Sequence, residues 1–376
     1  MSNPNLATVK QITDALEELA PVTLAESWDK VGLQVGDPQR TVRKVLLSLD
    51  SNDEGVIDEA IRIGADLILA HHAMIFKPVQ TIRTDTPYGR KIGKLLSHNI
   101  GVYVAHTNLD IAEGGVNDIL ASRLHLENVE VLSRVHNTRL KKLVVFVPAT
   151  HHEQVLKAVG DAGAGSIGNY SHCTFNTPGT GTFVPQEGTN PYIGEQGKFE
   201  RVEEVRLETI VPERLQEKVI EAMLKAHPYE EVAYDLYPLE IMGEPLGVGR
   251  VGDLVEDMTL QEFAEFVKQM FQVPAVRIVG PRDRKVRRVA VLGGSGEEYY
   301  PEALKKRADV FVTGDIRYHY AQDALAEGLC LVDPGHNTEK VFLPSLQAYL
   351  QAKMMEYGFD TEIVVSETNT EPFQFV

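Results

Sequence analysis

Cysteine is nearly absent: Cys173 and Cys330 are the only two among 376 residues. No disulfide framework can be built from them, and a reducing cytosol fits. Tryptophan occurs once, at position 28, and basic residues are outnumbered, 37 Lys and Arg against 54 Asp and Glu, for a net charge of -17. Such a chain lacks the basic face that phosphate contacts need, which argues against nucleic acid as the main partner. A nucleotide is not excluded, because a bound metal reverses the local field. No apolar run is long enough to span a bilayer. The start, Met1-Ser2-Asn3-Pro4-Asn5, has neither the basic nor the apolar region of a secretory signal. The expectation is a cytoplasmic chain with no membrane partner.

What is present is alternation. Val9, Ile12, Leu16 and Leu19 recur at helical spacing between Ala7 and Ala20. Strands read over Val42–Leu49, Leu67–Ala70 and Val102–Ala105, with helices over Glu54–Ile63, Gly89–His98 and Val116–Leu124 between and after them. This order implies βαβ units around a mainly parallel sheet. The pattern returns late: strands at Val286–Leu292, Ala308–Val312 and Leu329–Val332, and a helix over Tyr318–Glu327. The late strands mirror the early ones, so the fold class is α/β, a duplicated three-layer unit.

A different pattern interrupts the halves. Strands at Leu143–Pro148, Tyr170–Phe175, Val205–Val211 and Val232–Leu239, with helices at His152–Gly160 and Arg214–Ala226, suggest a ferredoxin-like α+β insert. A Gly- and Pro-rich stretch runs from Thr177 to Gly197, and Gly243–Gly252 reads as the return hinge. The expected domains are 1–139, an insert at 140–242, and 243–376.

Chemistry gathers at three strand ends: His71-His72, then His106 with Asp110, then His336 with Glu339. In open α/β sheets, ligand sites form just past the carboxyl ends of strands. Imidazole and carboxylate together suit Zn, Mn, Fe, Co or Ni. Adjacent residues on a regular strand point to opposite faces, so His71 and His72 meet one crevice only if the chain turns after them. Asn108, Gly114 and Gly115 suggest that Asp110 lies in a loop. Five or six ligands exceed what one catalytic zinc takes, which favours two divalent ions bridged by a carboxylate or water. The pair His151-His152 is the control: with Thr150 before it and Glu153 after, it reads as a capped, solvated helix start. Asp315 either orients a ligand histidine or closes its strand. Gly293-Gly294-Ser295-Gly296 reads as a tight turn, and His227-Pro228-Tyr229-Glu230-Glu231 as a helix stop.

At these residues the chain resembles the Nif-three-like proteins, also called GTP cyclohydrolase I type 2 homologues. The likeness rests on Trp28-Asp29-Lys30-Val31-Gly32-Leu33-Gln34-Val35-Gly36, His71-His72-Ala73-Met74-Ile75-Phe76, His106-Thr107-Asn108-Leu109-Asp110, Thr313-Gly314-Asp315 with Tyr318-His319, and Gly335-His336-Asn337-Thr338-Glu339. The resemblance implies a two-metal site with ligands at His71, His72, Asp110, His336 and Glu339, and His106 at or beside the metals. It also implies a PII- or CutA-like insert, carried by Gly163–Tyr170 and His227–Glu231, and a toroidal homohexamer. The implied activity is hydrolytic opening of a guanine ring: metal-bound hydroxide attacks C8 of GTP, His106 shuttles a proton, and formate leaves. Two alternatives share the site: a regulatory metal-binding ring without turnover, and a two-metal phosphoesterase.

Overall fold

The computed structural model describes residues 4–376 and divides into two compact units, Met1–His136 with Leu246–Val376, and Asn137–Pro245. The discontinuous unit contains two sheets. The first has the strand order Gly32–Val35, Gly101–Val104, Leu67–His72, Lys44–Asp50, Glu362–Val365. All neighbours are parallel except the Gly32–Val35 edge. The second sheet centres on the parallel strands Lys285–Ser295, Val310–Gly314 and Cys330–Asp333. Arg277–Val279 flanks it on one side and the end of Tyr234–Thr259 on the other, both antiparallel. This is the mixed α/β architecture with two mainly parallel sheets that the alternation predicts.

Local signals explain the helices. Val9–Leu19 starts at a capping box in which Thr8 accepts from the Gln11 amide and Gln11 answers the Thr8 amide. Leu260–Met270 starts the same way from Thr259 and Glu262. Glu54–Ile63 is capped by Asp53 and stops at Gly64 in the left-handed region. Inward faces of both sheets share one buried cluster, with Leu47, Leu69, Val289 and Val310 among its members. The last strand, Glu362–Val365, which the sequence reading missed, pairs with Lys44–Asp50. The end of the chain thereby completes the first sheet.

In the Asn137–Pro245 unit the sheet order is Thr174–Phe183, Glu200–Pro212, Glu127–Pro148, Tyr234–Thr259. Helices His152–Asp161 and Gln216–Ala226 pack on it through Val155, Val159, Val219 and Met223. Two expectations need correction here. The strand expected over Tyr170–Phe175 runs instead over Thr174–Phe183, into the Gly- and Pro-rich stretch from Thr177. Pro178 is tolerated because that strand is an edge. Nor is Gly243–Gly252 a hinge, since it runs inside the strand Tyr234–Thr259. Its glycines serve close approach: a Cβ at Gly247 would fall 2.0 Å from the Ser133 carbonyl oxygen, and one at Gly252 2.7 Å from that of Glu127.

Candidate metal centre

The strand Leu67–His72 carries both histidines in its last two positions. His71 is fully buried, and its Nδ1–H donates to the Ala105 carbonyl at 2.9 Å. His72 donates from Nδ1 to Asp50 Oδ1 at 2.7 Å. Each Nε2 is thereby turned away from its tether, and the two rings lie 5.1 Å apart. His106 donates from Nδ1 to the Asp29 carboxylate at 3.0 Å, and His336 from Nδ1 to Asp315 Oδ2 at 2.7 Å. Four imidazoles are thus fixed by one ring nitrogen and offer the other, the arrangement by which metal-binding histidines are usually oriented.

Glu339 stands between them. It lies in the 3-10 helix His336–Phe342, which places it three residues past His336 on the same side. Its side chain is 4% exposed. Oε2 lies 3.1 Å from His72 Nε2 and 3.5 Å from His336 Nε2, while Oε1 lies 3.7 Å from His71 Nε2. Asp110 Oδ1 is 3.6 Å from His71 Nε2. Asp110 is not in a loop, as expected, but in the short helix Thr107–Ile111. The Asn108 amide donates to the Ala20 carbonyl, and its Oδ1 accepts from the His106 amide, which winds the turn. Two glycines let Glu339 in: a Cβ at Gly293 would meet its Oε1 at 3.0 Å, and one at Gly294 at 2.7 Å. The Gly293–Gly296 segment is therefore a close-packed wall of the centre, with the strand continuing to Ser295.

The donors converge in three groups, each with ligand atoms within 4.8 Å of one another: His71, His72 and His106; His72, His336 and Glu339; His71, Asp110 and Glu339. His71 Nε2 and Asp110 Oδ1 are buried and lack a hydrogen-bond partner. Orphaned buried polar atoms cost free energy unless something else satisfies them, and a divalent cation would satisfy both. The site fits metal.

A model of the Duf34/NIF3 (NGG1p interacting factor 3) family matches residues 7–372. The chain belongs to this family. A relative from Halalkalibacterium halodurans, named GTP cyclohydrolase 1 type 2 homolog, is 53% identical over 371 residues, 99% of this chain and 100% of the relative. One of the same name from Bacillus subtilis is 50% identical over 98% of each chain. The crystal structure of a Bacillus cereus protein related to NIF3 superposes with a TM-score of 0.88 at 54% identity, covering 99% of this chain and 100% of that one. The resemblance read from the strand-end motifs is thus that of a true member of the DUF34/NIF3 family.

Electrostatics in this DUF34/NIF3 centre are set by buried carboxylates facing imidazoles. Burial opposes ionisation of Glu339, yet the His71 and His72 imidazoles outweigh it and hold the carboxyl well below the usual range. Burial pushes Asp110 the other way, above the usual range, and the neighbouring Glu339 charge adds to it. Burial opposes charging of His72 too, but hydrogen bonds to Asp50 and Glu339 push it up to about 10. His106 is raised against burial by its bond to Asp29 and by the Asp110 charge.

Sequence reasoning passed over Asp29 and Asp50. Both hold histidines, and Thr107 secures Asp29 through its amide and hydroxyl, at 2.9 and 2.6 Å. The signal for Asp50 was available: it closes the strand Lys44–Asp50 as the histidines close theirs. Thr370, which donates to Asp50, comes from far along the chain and left no pattern to read. Among the described residues no helix is long and apolar enough to cross a membrane.

Proposed function

We propose that the chain is a metal-dependent hydrolase with two adjacent divalent ions, of the GTP cyclohydrolase type that its relatives are named for. One observation carries the reading: the two oxygens of Glu339 face different donors, Oε1 toward His71 and Oε2 toward His72 and His336. His71, Asp110 and Glu339 Oε1 would hold one ion; His72, His336 and Glu339 Oε2 the other. When bound, such ions supply Lewis acidity and make water acidic enough to react near neutral pH. His106, tethered by Asp29, holds a proton beside the cluster and is the residue placed to pass it to the departing group. Trp28 and Phe76 are half exposed, with rings 6.2 Å apart, and Trp28 lies edge-on 6.1 Å from His106. Exposed aromatic faces at the rim suit a planar heterocycle better than a simple phosphoester.

The test is incubation of protein loaded separately with Mn, Fe, Co, Ni or Zn with GTP, following formate. Release that disappears in His106→Ala supports the reading. Silence with every metal removes the GTP version. A second reading, a regulatory ring without turnover, draws on the separate compact unit Asn137–Pro245. Saturable nucleotide binding without any product favours it. Both readings keep the expected hexamer, which light scattering would report as six times the 41.7 kDa chain.

A further inference from the structure

We propose that the Asn137–Pro245 unit binds a small organic cation with an apolar flank, of the alkylammonium class, in a cavity built around Tyr229. The cavity measures about 630 Å³ and is lined wholly by residues of this unit, a size ordinary for small-molecule sites. Its aromatic walls include Phe183, Tyr192 and Tyr229, with the Phe183 and Tyr192 rings 6.0 and 6.4 Å from that of Tyr229.

Tyr229 is fixed at both ends. Its hydroxyl donates to Glu204 Oε1 at 2.9 Å. Its backbone amide donates to His227 Nδ1 at 3.1 Å, and His227 in turn donates from Nε2 to the Phe146 carbonyl at 3.0 Å. That pattern requires neutral His227 in a single tautomer. The segment His227–Glu231, expected to be only a helix stop, is therefore the frame of the cavity.

Charge decides what fits. Glu204, Glu230 and Glu231 all line the cavity, against one guanidinium, Arg206, which already pairs with Glu208 at 3.0 Å. Glu204 is 9% exposed. Gly181 makes room for it, since a Cβ there would fall 2.1 Å from Glu204 Oε2. A buried carboxylate among aromatic rings disfavours anions and calls for a positive partner. Ring faces attract the same partner, most strongly when it is weakly hydrated. Phosphate or carboxylate ligands would meet three like charges and one occupied guanidinium.

Calorimetry on the full-length protein would test this with three probes of one shape: choline, its neutral isostere 3,3-dimethylbutan-1-ol, and the anion 3,3-dimethylbutyrate. Choline is expected to saturate one site per chain and to bind about tenfold or more tighter than the alcohol, with no uptake of the anion. Tyr192→Ala and Glu231→Gln, both at exposed positions, should each weaken choline by about tenfold, with the melting profile unchanged. Equal binding of choline and the alcohol, preference for the anion, absence of saturable choline binding at millimolar concentration, or indifference to both variants would overturn the proposal.

Discussion

His71-His72 and His151-His152 are the same dipeptide in two surroundings. The first closes a strand, and each ring is tethered by Nδ1, one to a backbone carbonyl and one to a carboxylate. The second opens the helix His152–Asp161, with His151 itself at the N-cap position and no side-chain cap, one residue later than a Thr150 cap would place it. Its partners are local or exposed: Thr150 Oγ1 at 3.0 Å from His151 Nδ1, and Asn176 Oδ1 at 2.8 Å from His152 Nε2. Among the described residues no metal-capable group includes it. A dipeptide does not make a ligand set; its tethers and the buried carboxylate it faces do.

Breaking the shared carboxylate is the severest test. Glu339→Gln should empty both proposed ion positions, whereas His72→Ala should spare the one formed by His71 and Asp110. Elemental analysis of dialysed protein reads this directly, and full metal content in Glu339→Gln would end the bridging assignment. The tethers come next. Asp50→Asn or Asp315→Asn should weaken metal affinity by roughly 10–100-fold through lost orientation alone, while His152→Ala leaves it unchanged. Competition with a chromogenic chelator would show the contrast.

Gly294→Ala tests the wall. Gly294 has φ of +61°, and its added Cβ would press on Glu339 Oε1. A left-handed alanine costs about 1–2 kcal/mol by itself, so denaturation should detect the change and metal content should fall with it.

The histidines of the two regions also predict opposite pH responses. Carboxylates raise His72 in the metal-free protein to about 10. Its contribution is fully present below the ordinary 6.5 and is lost as pH rises through the folded value. Burial lowers His227, despite its bond to the Phe146 carbonyl. The unfolded chain then binds the extra proton first, so stability is intact above 6.5 and falls as pH drops below it. The Tyr229 amide should lose protection against hydrogen exchange, taken relative to its intrinsic rate at each pH, as the pH falls below 6.5 and His227 charges; an amide equally protected above and below 6.5 would contradict this. The smallest effect is His151→Ala, expected to change unfolding free energy by less than about 0.5 kcal/mol.

Much of this was legible before folding was considered. Strand ends and βα alternation are local signals, so the strand that carries His71 and His72 and the strand that leads to His336 could be read from apolar runs bounded by polar residues. Ligand type followed from residue chemistry. What failed was also local in cause. Pro178, Gly179 and Gly181 look like loop residues, because edge position and the crowding of Glu204 against Gly181 are set by pairing with Glu200–Pro212, far along the chain. Asp29 stands in the Trp28–Gly36 motif with no role of its own until Thr107 and His106 close on it.

The amino-acid order by itself determined the repeating α/β elements, the family, and the supply of imidazoles and carboxylates at strand ends, since these depend on periodicity and side-chain type. Only the tertiary structure decided that one carboxylate, Glu339, lies between three of the histidines, that Asp50, Asp29 and Asp315 aim the rings, and that the Asn137–Pro245 unit encloses an acidic aromatic cavity. Those outcomes depend on which distant segments share a sheet and how closely their backbones approach, and no short stretch of chain contains that information.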